Sequence, residues 1–176
     1  MAAPAKPASG TQDPAPLKLD RYLPYLINRA GVSLAMRFGG VLRRAGISLP
    51  DWRVLAALRE RDGQRLTELA EHTSIEVSTL SRLVGSLEAQ GLVSRERDAG
   101  DARAIAIRLS STGAALTEAL TPAAESLEQA ALAGLSTNEA DQLKALLHKV
   151  YDNLTALPQD QAAETGNVPA ESRRRR

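Results

Sequence analysis

The sequence predicts a mainly α-helical chain carrying one small β-hairpin, arranged as a winged helix-turn-helix with further helices on both sides. Three observations support this. Residues 76–109 switch from a helical to a strand-like apolar period at Gly91. Val77, Leu80, Val84 and Leu87 recur at i, i+3, i+7 and i+10 with Leu83 beside them, while Ile105, Ile107 and Leu109 alternate. Just upstream, residues 66–72 form a short apolar-sided pattern on Leu66, Leu69 and Ala70, and Thr73-Ser74-Ile75 leaves room only for a tight connection. Finally, hydrophobic residues make up 43% of the chain but aromatics only 3%, which favours helices packed closely through alanine and leucine.

Taken in order, Met1 to Pro16 is rich in Ala and Pro and buries too little apolar area to order itself; it reads as a tail. Leu17 to Ala45 reads as one long helix, with Pro24 in its first turn and an apolar stripe of Ile27, Ala30, Leu34, Val41 and Leu42. Arg29, Arg37, Arg43 and Arg44 project within about 120° of one another at about 100° per residue, which suits either a solvated face or an anion site. Gly46 closes this helix. Pro50 at the first helical position and Asp51 at the positive end of the dipole open the next, which holds the only tryptophan, Trp52. Asp62-Gly63 makes the turn into the helix-turn-helix.

The helix after it has an apolar stripe on one side and Ser78, Thr79, Arg82 and Ser86 on the other. Gly91 stops it as a C′ glycine does. The hairpin that follows carries Arg95, Arg97, Arg103 and Arg108, with a turn at Asp98-Ala99-Gly100-Asp101. From Ala114 to Gly134 the chain is again helical, and Pro122 is expected to bend or interrupt it. Ser136 and Glu139 form a capping-box pattern ahead of a last helix, whose stripe is Leu143, Leu146, Leu147, Val150 and Leu154 and which Pro158 ends. Apolar helices at both ends, with the reader between them, suit a dimer.

No run approaches 18 apolar residues and no signal pattern opens the chain, so neither a membrane span nor export is expected. Cysteine is absent, which excludes disulfides and thiol redox sensing and fits a cytoplasmic protein. With only His72 and His148 available, no metal site and no cofactor are expected, and an enzyme is the least supported class. The net charge of +1 is unevenly spread. Residues 17–46 hold six Lys/Arg against one Asp, residues 50–109 nine against ten acids, and residues 110–160 two against seven. A nucleic-acid reader in the neutral middle must segregate its arginines onto one face.

The segments LPDWRVLAAL (49–58), LTELAEHTSIEVSTLSRLVGSLEAQGLVSRERDAGDAR (66–103) and LSSTGAAL (109–116) resemble the MarR family of bacterial transcriptional regulators. The likeness is strongest in Ser81-Arg82-Leu83-Val84, in Glu88 to Val93, and in the wing with Asp101 and Arg103; it spans about residues 17–157. The chain departs from the family pattern at Val77, Gly85-Ser86 and Ala102, which removes possible phosphate and base contacts. Gly85 also costs about 1 kcal/mol relative to alanine inside a helix.

The resemblance implies a winged helix-turn-helix DNA-binding region over residues 47–109 and a helical dimerisation region over 17–46 and 110–157, while the polar composition after Pro158 predicts a disordered tail at 158–176 to match the one at 1–16. The resemblance also implies a homodimer bound to a near-palindromic double-stranded operator, usually as a repressor. Ser78, Thr79, Arg82 and Ser86 would face the DNA. Arg97 and Arg103 would carry the wing to the minor groove, with Asp101 holding Arg103. It further implies a small-molecule effector, an organic anion such as an aromatic acid or acyl-CoA, with apolar contact from Trp52, Tyr25 and Met36 and a charge partner in Arg29 or Arg37. Trp52 suits either the core or the border of that pocket. The Arg173–Arg176 run suits either a DNA tether or a solvated tail. The alternative to a DNA regulator is a winged-helix protein-interaction module, which the neutral centre favours and a salt-dependent DNA shift would exclude.

Overall fold

The computed structural model describes residues 17–97 and 104–157. Residues up to Glu128 form one compact unit and those from Gln129 a second.

The first unit begins with a 3-10 turn at Leu19–Arg21, followed by α1, Leu23–Arg44. The first helix therefore starts six residues later than expected. Pro24 has no N–H to give and fits only a first turn, with Tyr22 extended as the N-cap. Only the second half of α1 is buried. Phe38 and Leu42, one turn apart, enter the core, whereas Ile27, Ala30 and Leu34 of the expected stripe are exposed. Ala45 ends the helix, and Gly46 follows at φ +76°, the left-handed conformation of a C′ residue.

Helix α2, Leu49–Glu60, is started by Ser48 rather than by Pro50. The Asp51 carboxylate accepts from the Ser48 amide at 2.9 Å, and Ser48 Oγ accepts from the Asp51 amide at 3.3 Å, a reciprocal cap that puts Pro50 one position further in. Asp62-Gly63 then leads into β1, Gln64–Arg65, a strand the sequence pattern does not announce. Gln64 is buried but satisfied. Its Nε2 donates to the Ala57 and Arg61 carbonyls (3.1 and 2.6 Å), closing the C-terminal end of α2, and its Oε1 accepts from the Arg61 guanidinium at 3.0 Å.

Helices α3, Leu66–Thr73, and α4, Val77–Ala89, are joined through Ser74, which sits at φ 52°. Strands β2, Val93–Arg97, and β3, Ile105–Leu109, pair antiparallel with Arg95 opposite Ile107. Strand β1 pairs on the other side of β3 with Gln64 opposite Ile107, giving a three-stranded sheet of order β1-β3-β2 where a two-stranded hairpin was expected. The turn expected at residues 98–101 lies outside the described residues.

The core is built where α2, α3 and α4 meet the sheet. Val54, Leu55, Leu58, Leu69, Leu80, Val84 and Leu87 have no exposed surface, and Ile107 almost none. Burying each such side chain is worth about 1.5–3 kcal/mol. Val77, expected in the same stripe, is exposed; as the first helical residue of α4 it extends past the ridge that packs on α2 and α3.

Helix α5, Ser111–Ala131, starts earlier than expected. Ser110 Oγ accepts from the Gly113 amide at 2.9 Å and donates to the Gly91 carbonyl at 2.7 Å, so Gly113 lies in the first turn, buried, rather than in a linker. The helix runs through Pro122 without interruption. A proline removes a single i→i−4 bond, and both Pro122 and Glu118, whose carbonyl loses its partner, are exposed to water. The second unit contains α6, Thr137–Thr155, with the expected Ser136–Glu139 capping box in place (Ser136 amide to the Glu139 carboxylate, 2.8 Å). Leu143, Leu146, Leu147 and Leu154 on it are exposed. No described helix is long and apolar enough to cross a membrane.

Candidate nucleic-acid interface

Because Leu80, Val84 and Leu87 are buried, α4 must turn its opposite side outward. At about 100° per residue, Ser78 and Arg82 fall near the centre of that outer face, about 180° from the buried stripe, with Thr79 and Ser86 on one flank. All four are exposed. The Arg82 side chain makes no hydrogen bond or ion pair with another described residue. Ser86 takes a hydrogen bond from Gln90 Nε2 at 3.2 Å.

The start of α4 carries a feature absent from the sequence reading. Glu76 is the N-cap. Its carboxylate accepts from the Ser78 amide (2.9 Å), the Thr79 amide (3.0 Å) and the Ser78 hydroxyl. These bonds, that from the Ser78 hydroxyl first, lower the Glu76 carboxyl to a pKa of about 2, so it stays charged at neutral pH.

The wing strands are pinned to the body by two arginines. Arg95 on β2 reaches over α4, its guanidinium 3.1 Å from the Glu88 carboxylate and 3.4 Å from the Ser81 carbonyl, and its amide donates to Glu88 at 3.2 Å. Arg108 on β3 pairs with Asp62 (3.2 Å) and Glu96 (3.1 Å), while Asp62 also accepts from the Leu109 amide at 2.7 Å. Half-exposed pairs of this kind each contribute about 0.2–1 kcal/mol and mainly fix geometry.

The pairs also explain how a neutral region can present a basic face. Asp51 and Glu68 are held as helix caps, and Asp62, Glu88 and Glu96 as partners of Arg95 and Arg108, which leaves Arg82 and Arg97 exposed, while Glu76 keeps its charge at the start of the same face. Arg97 is the last residue of β2. Asp101 and Arg103 lie outside the described residues.

The residues expected to bind an effector are not gathered at one place. Trp52 is half-buried, meets Phe38 edge-to-face at 5.3 Å, and borders two open clefts. One cleft, of about 550 Å³ between α2 and α5, is lined by Trp52, Ala56, Arg59, Glu60, Thr117, Glu118, Thr121 and Pro122. The other, of about 290 Å³, lies between α2 and the end of α3 and includes Arg53, His72 and Ser74. Tyr25, Arg29, Met36 and Arg37 are exposed on α1 and line neither. Arg59 escaped the sequence reading because only the packing of α5 onto α2 makes a cleft beside it. Glu76 and Arg95 carried more signal. A Glu three residues before Thr79 at a helix start is a cap pattern, and Arg95 stands seven residues after Glu88 across a glycine stop.

A short helix, a left-handed connection, a second helix with a polar outer face, and an antiparallel sheet anchored against it define a winged helix-turn-helix module. Comparison with known proteins agrees. Residues 45–104 match the model of the MarR family. A MarR-family transcriptional regulator from Silicibacter pomeroyi is 31% identical, with 77% of this chain and 92% of that one covered at a TM-score of 0.70. Bordetella bronchiseptica BpsR, solved to explain regulation of its DNA binding by 6-hydroxynicotinic acid, is 26% identical over 78% of this chain and 99% of that one, also at 0.70. The HTH-type transcriptional repressor IacR of Pseudomonas putida is 25% identical over 89% of this chain and 95% of its own length. The chain belongs to the MarR family of transcriptional regulators.

Proposed function

We propose that this protein is a ligand-responsive repressor that binds a near-palindromic operator as a homodimer and is released by a small organic anion. The carrying observation is the outer face of α4. Ser78, Thr79, Arg82 and Ser86 form a polar surface with one guanidinium, backed by a fully buried stripe and flanked by the anchored sheet. A helix of this kind fits the major groove, and Arg97, with Arg103 beyond it, suits the minor groove or the backbone. The exposed leucines of α6 and the exposed Leu23, Leu26, Val32 and Leu34 of α1 support a dimer formed by residues 17–46 and 110–157, since obligate interfaces resemble a divided core.

The cleft beside Trp52 supports the effector reading. Trp52, Ala56 and Pro122 offer apolar contact and Arg59 a charge partner for a carboxylate. BpsR responds to a heteroaromatic acid, and an aromatic carboxylate or its CoA thioester is the corresponding class here. Release requires the ligand to favour a dimer geometry in which the two reading helices no longer match the half-sites, because equal affinity for both geometries shifts nothing.

The test is operator selection from a random duplex pool, followed by binding measured across a salt series. A selected sequence whose affinity falls steeply with salt, and an Arg82→Ala loss of roughly 1–3 kcal/mol on that sequence, are expected. Binding by Arg82→Ala within twofold of the parent at matched salt would remove α4 from the interface.

A further inference from the structure

We infer that Glu76 makes the start of the recognition helix an acceptor-only reading edge, so that the operator must offer an exocyclic amino group there. This inference rests on the proposed docking of α4 in the major groove.

Ser78 lies at the centre of the exposed face of α4, in line with Arg82 one turn further on. A serine hydroxyl is ordinarily ambivalent, because its proton rotates to suit whichever base edge it meets. Here that freedom is removed. A carboxylate can only accept, so the Ser78 hydroxyl donates its proton to Glu76 and turns lone pairs alone to the outside. The Glu76 carboxylate is itself exposed and held by the Ser78 and Thr79 amides, so it too presents only acceptor capacity. The two amides are thereby spent within the helix, and a phosphate cannot occupy the position that an uncapped helix start would offer it.

Cytosine N4 and adenine N6 are the amino donors of the major groove, whereas guanine O6 and thymine O4 would set acceptor against acceptor. Arg82 has the opposite polarity. It offers donors only and suits the O6/N7 edge of guanine. Four residues of helix rise about 6 Å, and base pairs are spaced about 3.4 Å apart. The half-site should therefore hold a C or A one to two base pairs from a G, the first set by Glu76 and Ser78 and the second by Arg82.

The experiment is selection from a random duplex pool with the full-length parent, Arg82→Ala, Ser78→Ala and Glu76→Gln proteins, with helicity and thermal midpoint measured for each. The Ser78-dependent position is the one at which parent and Ser78→Ala selections differ, and Arg82→Ala locates the guanine in the same way. The parent should hold C or A at the Ser78-dependent position and lose roughly tenfold in affinity when T or G is placed there. In Glu76→Gln the amide can donate to Ser78 Oγ and free its proton, so this discrimination should fall to about threefold or less. Its affinity for random duplex should hold or rise, because a negative charge has gone. Ser78→Ala, which keeps the carboxylate and the cap, guards against a folding defect in Glu76→Gln and should also lose discrimination. A parent that selects T or G at that position, or a folded Glu76→Gln protein with unchanged discrimination, overturns the inference while leaving DNA binding intact. A parent that selects no sequence at all overturns the docking of α4 and this inference together.

Discussion

Adding one methyl group at Gly113 should detach the root of the wing from α5. A Cβ built on Gly113 falls 2.0 Å from the Leu92 carbonyl oxygen and 2.9 Å from Leu109 Cδ1. The leucine side chain can turn away, but the carbonyl belongs to backbone fixed by the Ser110 amide, which donates to it at 3.1 Å. Restoring contact distance needs a separation of about 1 Å or more between the first turn of α5 and the start of β2. That movement loses the Ser110–Leu92 bond and strains Ser110 Oγ–Gly91, each worth about 0.5–1.5 kcal/mol. It adds an overpacking cost of about 1–3 kcal/mol. Against this stands a gain of about 1 kcal/mol from replacing a helical glycine with alanine. The net expectation for Gly113→Ala is a destabilisation of about 1–5 kcal/mol.

Gly85→Ala is the internal control. Its Cβ would meet only the Arg95 guanidinium, at an ordinary 4.0 Å, so the helix gain of about 0.5–1 kcal/mol should appear undiminished. Urea unfolding at one fixed protomer concentration measures both. With a slope of about 1–3 kcal/mol per molar, Gly113→Ala should lower the midpoint by about 1–2 M and Gly85→Ala should raise it slightly. A Gly113→Ala protein as stable as the parent would refute the close approach of α5 to Leu92.

Leu143 and Leu147 are exposed in the single chain, and in the proposed dimer each would be worth about 1.5–3 kcal/mol if buried, so replacing both by Glu should give monomer or aggregate in sedimentation; an intact dimer would take α6 out of the interface. Acid should act through Glu76. Its folded pKa of about 2 lies below the ordinary 4.5, so its contribution is complete above about pH 4.5 and disappears as pH falls toward 2. The stability difference between the parent and Glu76→Gln should therefore shrink across that window, and a constant difference would contradict the cap. Glu139, lowered by its bonds with Ser136, adds a dependence of the same sign that both proteins share. Titration with aromatic acids should change Trp52 fluorescence, and Arg59→Ala should weaken the response about tenfold or more. A response lost instead in Arg29→Ala or Arg37→Ala would move the effector to the face of α1.

How much of this was legible in the sequence depended on whether the signal was local. The apolar period of α4 and its glycine stop are set by neighbours in the chain, and Leu80, Val84 and Leu87 are buried as that pattern requires; the expected alternation of β3 is not kept, since Ile105 is exposed and both Ala106 and Ile107 are buried between β1 and β2. The capping box of α6 was equally readable, because Ser136 and Glu139 meet within one helical turn. The polar outer face of α4 follows from the same period, so the exposure of Ser78, Thr79, Arg82 and Ser86 on one side of the helix was readable without a structure.

Other features depended on partners far away in the chain. Strand β1 has two polar residues and no period. It exists because β3 offers an edge and because Gln64 satisfies the end of α2. The exposure of Ile27 and Leu34 follows from which turns of α1 reach the core, a matter of packing rather than of periodicity. The pairing of Arg108 with Asp62, 46 residues away, decides which arginines remain for a nucleic acid, and no count of charges along the chain could separate them. The cleft that joins Trp52 and Arg59 to Thr117 and Thr121 likewise exists only once α5 has packed against α2. Local hydrogen bonding and side-chain period thus determined the elements and the reading face. Long-range packing decided which charges that face keeps and where a cleft opens beside Trp52.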